Sequence, residues 1–132
     1  MGRRLILDTS ILIAYERGTV DRSAVDDDEL AVAALSIAEY RTGIELADAP
    51  ERAAERARAL ATITSVIDVL DYTPVTAAHH ARLLADVRKS GRQRGAHDLI
   101  IAAHAAETGR MVLTRDATAR FGDLPGITAI DA

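Results

Sequence analysis

Four acidic residues, Asp8, Glu39, Asp98 and Asp116, stand where an apolar run ends or a helical one begins. Asp8 closes Leu5-Ile6-Leu7. Glu39 follows the apolar stretch 30–35. Asp98 opens Leu99-Ile100-Ile101-Ala102-Ala103, and Asp116 follows Met111-Val112-Leu113-Thr114-Arg115. Carboxylates far apart in a chain meet when they sit at the carboxyl ends of neighbouring parallel strands, where open α/β sheets bind ligands. Like charges gathered there repel one another unless a hard divalent cation lies among them, and an all-oxygen donor set suits Mg2+ or Mn2+. Such a site acidifies water and neutralises charge on phosphoryl oxygens.

Each acid also has a plainer role. Ser36-x-x-Glu39 has the spacing of a capping box. Asp98 in a first helical turn complements the macrodipole. Asp8 precedes a helix, and Asp116 can cap a turn over 117–120. Capping does not explain why the acids follow strands that would lie side by side. Nor does it explain the hydroxyl residues beside them, Thr9, Ser10, Ser36 and Thr114. Such hydroxyls suit an outer shell that orients carboxylates.

The elements that must position these residues follow from the apolar pattern. The chain of 132 residues is expected to form one domain, residues 1–132, large enough to bury a core. Short β-like runs at 5–8, 30–35, 66–70, 110–114 and 127–130 alternate with helical stretches, which implies a parallel sheet covered on both faces. Helices are expected from Thr9 or Ser10, as the cap, to about Arg17, and over 37–47, 51–62, 74–90 and 98–108. Residues 21–29 read as an acidic loop. Thr73-Pro74 is a strong helix start, and Gly91 and Gly109 are stops. Alanine, about a fifth of the chain, favours helix and close helix–sheet packing.

Composition removes several chemistries. There are no cysteines, so thiolate metal sites, structural disulfides and cysteine nucleophiles are excluded. Their absence fits a reducing cytoplasm. No stretch has the length to span a membrane, and Asp8 interrupts the first apolar run too early for a signal peptide. The net charge of −4 argues against a generally basic nucleic-acid coat while leaving room for a local patch. The segment 88–94 supplies one, with Arg88, Lys89, Arg92 and Arg94 just before Asp98. It reads as a phosphate clamp beside the site, and Arg115 as a similar contact. Only three tyrosines and one phenylalanine are present, too few for base stacking to lead recognition. His79, His80, His97 and His104 show no metal-ligand spacing and read as surface or packing residues, His97 being notable beside Asp98.

Asp8-Thr9-Ser10, Ser36-x-x-Glu39, His97-Asp98-Leu99-Ile100-Ile101-Ala102-Ala103 and Leu113-Thr114-Arg115-Asp116 together resemble the signature segments of PIN domains, and more narrowly those of VapC-type toxins. The resemblance runs from Arg4 to Ile130 in the right order. It implies a three-layer α/β/α sandwich with a five-stranded parallel sheet, and Mg2+- or Mn2+-dependent endoribonuclease activity at Asp8, Glu39, Asp98 and Asp116. It further implies a homodimer, a cognate antitoxin and an RNA substrate, transfer RNA among the candidates. A haloacid-dehalogenase phosphatase would need an aspartate where Ser10 stands. A receiver-like phosphoacceptor would need a lysine after a late strand, and none follows. A PIN-fold binding module without nuclease activity remains the rival reading, with the intact set of four acids against it.

Overall fold

The computed structural model describes residues 2–132. The strands are β1 (Arg4–Leu7), β2 (Glu29–Ala33), β3 (Asp68–Leu70), β4 (Met111–Thr114) and β5 (Ala129–Asp131). The helices are α1 (Thr9–Glu16), α2 (Ala34–Glu45), α3 (Pro50–Thr64), α4 (Pro74–Ser90) and α5 (Ala96–Thr108). All strand pairs are parallel, in the order β3-β2-β1-β4-β5.

The central strand β1 is apolar on both faces because both are covered. Ile6 points into a core with Ala33, Leu83, Leu99, Ile101, Val112 and Phe121, which α4 and α5 close. Its neighbours Leu5 and Leu7 face the other way, onto Ile11 and Leu113. The adjoining cluster of Leu12, Val32, Tyr40, Leu60 and Ile63 binds α1, α2 and α3 to that face. The period of two along the strand thus sorts the helices into two layers. At the amino ends of the strands, the buried Arg110 donates to the Leu5 and Glu29 carbonyls and to Glu29 Oε1. One side chain therefore ties β1, β2 and β4 together at the edge away from the acids.

Several boundaries differ from the sequence expectation, each for a local reason. β1 stops at Leu7, and Asp8, rather than Thr9 or Ser10, caps α1 by accepting from the Ile11 N–H. β2 ends at Ala33, and the alanine-rich stretch that follows turns helical at once, as alanine propensity favours. Ser36 therefore lies inside the first turn of α2, the cap is Ala33 without a side-chain bond, and no capping box forms. α3 runs on to Thr64, and the N–H groups of Ser65, Val66 and Ile67 bond back to its last carbonyls. This delays β3 to Asp68. The loop 21–29 holds a 3-10 turn, Arg22–Val25, capped by Asp21. β5 pairs at Ala129–Asp131, while Ile127 packs into the core instead.

The fourth helix follows expectation closely. Thr73 and Thr76 bond reciprocally in a capping box, Pro74 opens the helix, and Gly91 closes it at φ 69°. Gly109 ends α5 at φ 65°, a left-handed conformation that glycine reaches without steric cost.

Candidate active site

The register sets Leu7 opposite both Val32 and Leu113. Three adjacent strands therefore end at one level, and the chain leaves β1, β2 and β4 along a common edge. From β1 the chain passes to β2 on one side, while β4 lies on the other. This is a topological switch point, where crevices open in such sheets.

Asp8, just past β1, is buried. Its Oδ1 accepts from Ser10 Oγ at 2.5 Å and from the Ile11 N–H at 3.3 Å, and its Oδ2 accepts from Thr114 Oγ1 at 2.5 Å. Both hydroxyls work in two directions. Ser10 Oγ accepts from the Arg115 N–H at 3.0 Å, and Thr114 Oγ1 accepts from the Asp116 N–H at 2.9 Å. Each hydroxyl thus locks the Asp8 carboxylate to the backbone that carries Asp116. Burial pushes the Asp8 carboxyl above its ordinary value, the Ser10, Thr114 and Ile11 bonds pull it back, and the Asp116 charge pushes it up again.

Asp116 sits past β4 and caps the 3-10 turn Ala117–Ala119, its Oδ1 accepting from Thr118 N at 3.0 Å and Thr118 Oγ1 at 2.6 Å. Asp98 projects from the first turn of α5. Its carboxyl is raised first by burial and then by the charges of Asp116, Asp8 and Glu39, with His97 opposing; no hydrogen bond contributes. Asp98 therefore lies within electrostatic reach of each of the other three acids of the sequence reading. Glu39, in the second turn of α2, is held at both oxygens: Thr9 Oγ1 donates to Oε1 at 3.0 Å, and His97 Nδ1 meets Oε2 at 2.7 Å.

Thr9, Ser10 and Thr114 each hydrogen-bond one of the acids, and Ser36 does not. Ser36 Oγ is buried without a hydrogen-bond partner and touches none of the acids through a hydrogen bond. His97 is the site contact that residue types alone did not reveal. Its one sequence signal was adjacency to Asp98. The buried His104 and the Tyr72-bonded His80 play packing roles.

The basic residues separate into two groups. Arg88, Lys89 and Arg92 are exposed at the end of α4 and in the following loop. Arg94 is a correction to the phosphate-clamp reading. Its side chain is 5% exposed, and Nη1 donates to the carbonyls of Ala119 at 2.7 Å and Arg120 at 2.5 Å. The guanidinium props the turn after Asp116 and is not free for a phosphate. Arg115 is likewise engaged, bonding Thr19 through its Oγ1 and its carbonyl.

The donor set is four carboxylates with hydroxyls behind them, the hard-oxygen chemistry that Mg2+ and Mn2+ take. Among the described residues Asp98 is the member of the four to which no hydrogen bond is donated, so both its oxygens are free. The carboxylates are near enough to repel but are not drawn to a single point: among the described residues no three His, Asp or Glu side chains already stand at ligating spacing. The residues fit the ion in chemistry. Thr9 and Glu39 also form one end of an open cleft continued by Ile13, Glu16, Arg17 and Tyr40. A separate, mainly apolar hollow between α1, the 20–30 loop and the end of α3 includes none of the four acids.

Known proteins share this fold. The PIN domain family model matches residues 5–124. Ribonuclease VapC5 of Mycobacterium tuberculosis is 36% identical over 129 residues, covering 96% of this chain and 91% of that protein. The tRNA(fMet)-specific endonuclease VapC of Shigella flexneri is 27% identical over 132 residues, with 97% of each covered. Among solved structures, DNA-bound VapBC from Salmonella typhimurium superposes with a TM-score of 0.84 at 26% identity, covering 99% of this chain and 98% of that one. VapBC-5 from M. tuberculosis, a toxin–antitoxin system, superposes at 0.77 with 27% identity, covering 97% and 96%.

Proposed function

This chain belongs to the PIN-domain family, among the VapC proteins, and on that footing we propose that it is the endoribonuclease toxin of a toxin–antitoxin pair. The observation that carries the reading is the electrostatic convergence of Asp98 with Asp116, Asp8 and Glu39 at the switch point of the sheet. The names of its relatives support an RNA substrate, and one of them supports transfer RNA as the class to try first.

Asp8, Asp98 and Asp116 would hold Mg2+ or Mn2+, with Glu39 acting directly or through water, and the ion would supply an acidified water and neutralise charge on the phosphoryl oxygens. The protein's own contribution is preorganisation. Ser10 and Thr114 fix the rotamer of Asp8 and the backbone entering Asp116. Thr9 and His97 orient Glu39, which takes up the proton of the attacking water. Arg88, Lys89 and Arg92 are exposed and are the cations that would meet RNA phosphates. The products are a 5′-phosphate and a 3′-hydroxyl, since attack by water leaves the neighbouring 2′-hydroxyl unused. No described helix is long and apolar enough to cross a membrane; the toxin so proposed acts in the cytoplasm as a homodimer.

The test is induction of this chain alone, followed by sequencing and end-labelling of the fragments. Growth arrest with 5′-phosphate ends supports the reading. Fragments ending in a 2′,3′-cyclic phosphate, or no cleavage of any RNA, would overturn it, and a site without nuclease activity would be left.

A further inference from the structure

We propose that His97 is a positioning residue that sets Glu39 relative to Asp98, an inference that rests on the nuclease reading of the same site. Glu39 belongs to α2, in the layer of α1 and α3, whereas His97 belongs to α5, on the opposite face of the sheet. The contact between Nδ1 and Oε2, at 2.7 Å, therefore joins the two layers across the edge where the strands end. One turn of α5 presents consecutive residues to the site: Asp98 brings its carboxylate to the other acids, and His97 grips one of them. Because both stand on the same rigid turn, the position of Glu39 is referred to that of Asp98.

An exposed ion pair is the ordinary alternative and would contribute about 0–1 kcal/mol to stability with no functional consequence. Three features argue for more. The bond is short and charge-assisted, the kind that fixes geometry. It comes from Nδ1, the ring nitrogen nearer the backbone, so the lever arm is short and the imidazole cannot follow a wandering carboxylate. The other oxygen is already held by Thr9 from a third helix at 3.0 Å, so loss of His97 frees Glu39 to pivot about a single bond. In the Nδ1–H tautomer the ring donates whether or not it is charged, so the role is geometric. Asparagine carries an amide nitrogen at nearly the same distance from its backbone and can reproduce the donor. Alanine cannot.

The experiment compares the purified full chain with His97→Ala and His97→Asn, in Mn2+ titration by calorimetry and in steady-state cleavage of RNA. Loss of an outer partner of a ligand costs about 10–100-fold in metal affinity or activity, and His97→Ala is expected to lose that much in Mn2+ affinity, in kcat or in both. KM and Tm should stay near wild type, and His97→Asn should recover most of the loss. His97→Ala matching wild type in both assays, or His97→Asn as poor as alanine, would refute the assignment. If the wild type binds Mn2+ but cuts no RNA, the nuclease reading fails while the calorimetric comparison still decides His97. If it does neither, the site itself fails and the assignment goes with it.

Discussion

At the scale of single residues, the site consists of charged groups whose neighbours hold them in costly states. Asp98 has burial and three like charges against it, so its carboxyl binds a proton more tightly folded than unfolded. The stability it contributes is full below the ordinary aspartate value and is lost as pH rises through the raised folded one. Asp98→Asn should therefore melt above wild type at about pH 7, and the gap should close as pH falls below about 4, the ordinary aspartate value. The same substitution should lower cleavage by at least about 10–100-fold, the loss seen when only an outer partner of a ligand is removed. Melting curves against pH and a cleavage assay in excess Mg2+ check both halves, and full activity of the variant would remove Asp98 from the site. Thr114 makes a different prediction. Its hydroxyl serves Asp8 and the Asp116 N–H together, so Thr114→Val should cost about 1–3 kcal/mol for a buried group left unpaired. Denaturant titration measures it, and a neutral result would mean that water replaces the hydroxyl.

At the scale of elements, the segment between α4 and α5 divides cations by what they touch. Arg94 is spent on the carbonyls of Ala119 and Arg120, and Arg94→Ala should lower Tm and loosen the turn that carries Asp116. Neutralising two of Arg88, Lys89 and Arg92 should leave Tm in place and weaken RNA binding across sequences. The salt slope on single-stranded RNA should flatten by roughly 0.7 for each phosphate that the variant no longer neutralises. Binding isotherms at several salt concentrations separate the two outcomes; an unchanged slope would make the loop a solvated face. The sequence placed all four cations together because composition reports charge. Whether a guanidinium is exposed depends on the 3-10 turn Ala117–Ala119 folding against it, a contact 25 residues away in the chain.

At the scale of the whole molecule, a chain of net charge −4 that brings Asp98 within electrostatic reach of three other carboxylates can attract a cationic partner as well as a metal. An Arg guanidinium can pair with such carboxylates in a bidentate fork, and a disordered tail that folds along the surface would add apolar contacts. The open reading frame beside this one is therefore expected to encode a small inhibitor with a basic residue in its C-terminal part. Reversing the charge of that residue should restore RNA cleavage more than it weakens the complex. Co-purification and growth with and without the neighbour are the measurements. A chain that never slows growth alone and binds no neighbour would leave the nuclease reading without the toxin.

The sequence by itself determined the order of strands and helices, the parallel covered sheet and the four acids. Those depend on local signals: uninterrupted apolar runs for doubly buried strands, Thr73-Pro74 and Gly91 for the ends of α4, and an acid after each of the two strands beside the switch point. Ends set by competition between neighbouring turns were misplaced by a few residues, as at Ala33 and Asp68, because alanine and the last carbonyls of α3 extend a helix where an apolar pattern suggests a strand. Only the tertiary structure decided which side chains meet. The double use of Ser10 and Thr114, the withdrawal of Arg94 into the fold, the idle hydroxyl of Ser36 and the grip of His97 on Glu39 all join residues distant in sequence or depend on which way a helix faces. Residue type and spacing cannot carry that information, because it is created when the two helical layers close over the same edge of the sheet.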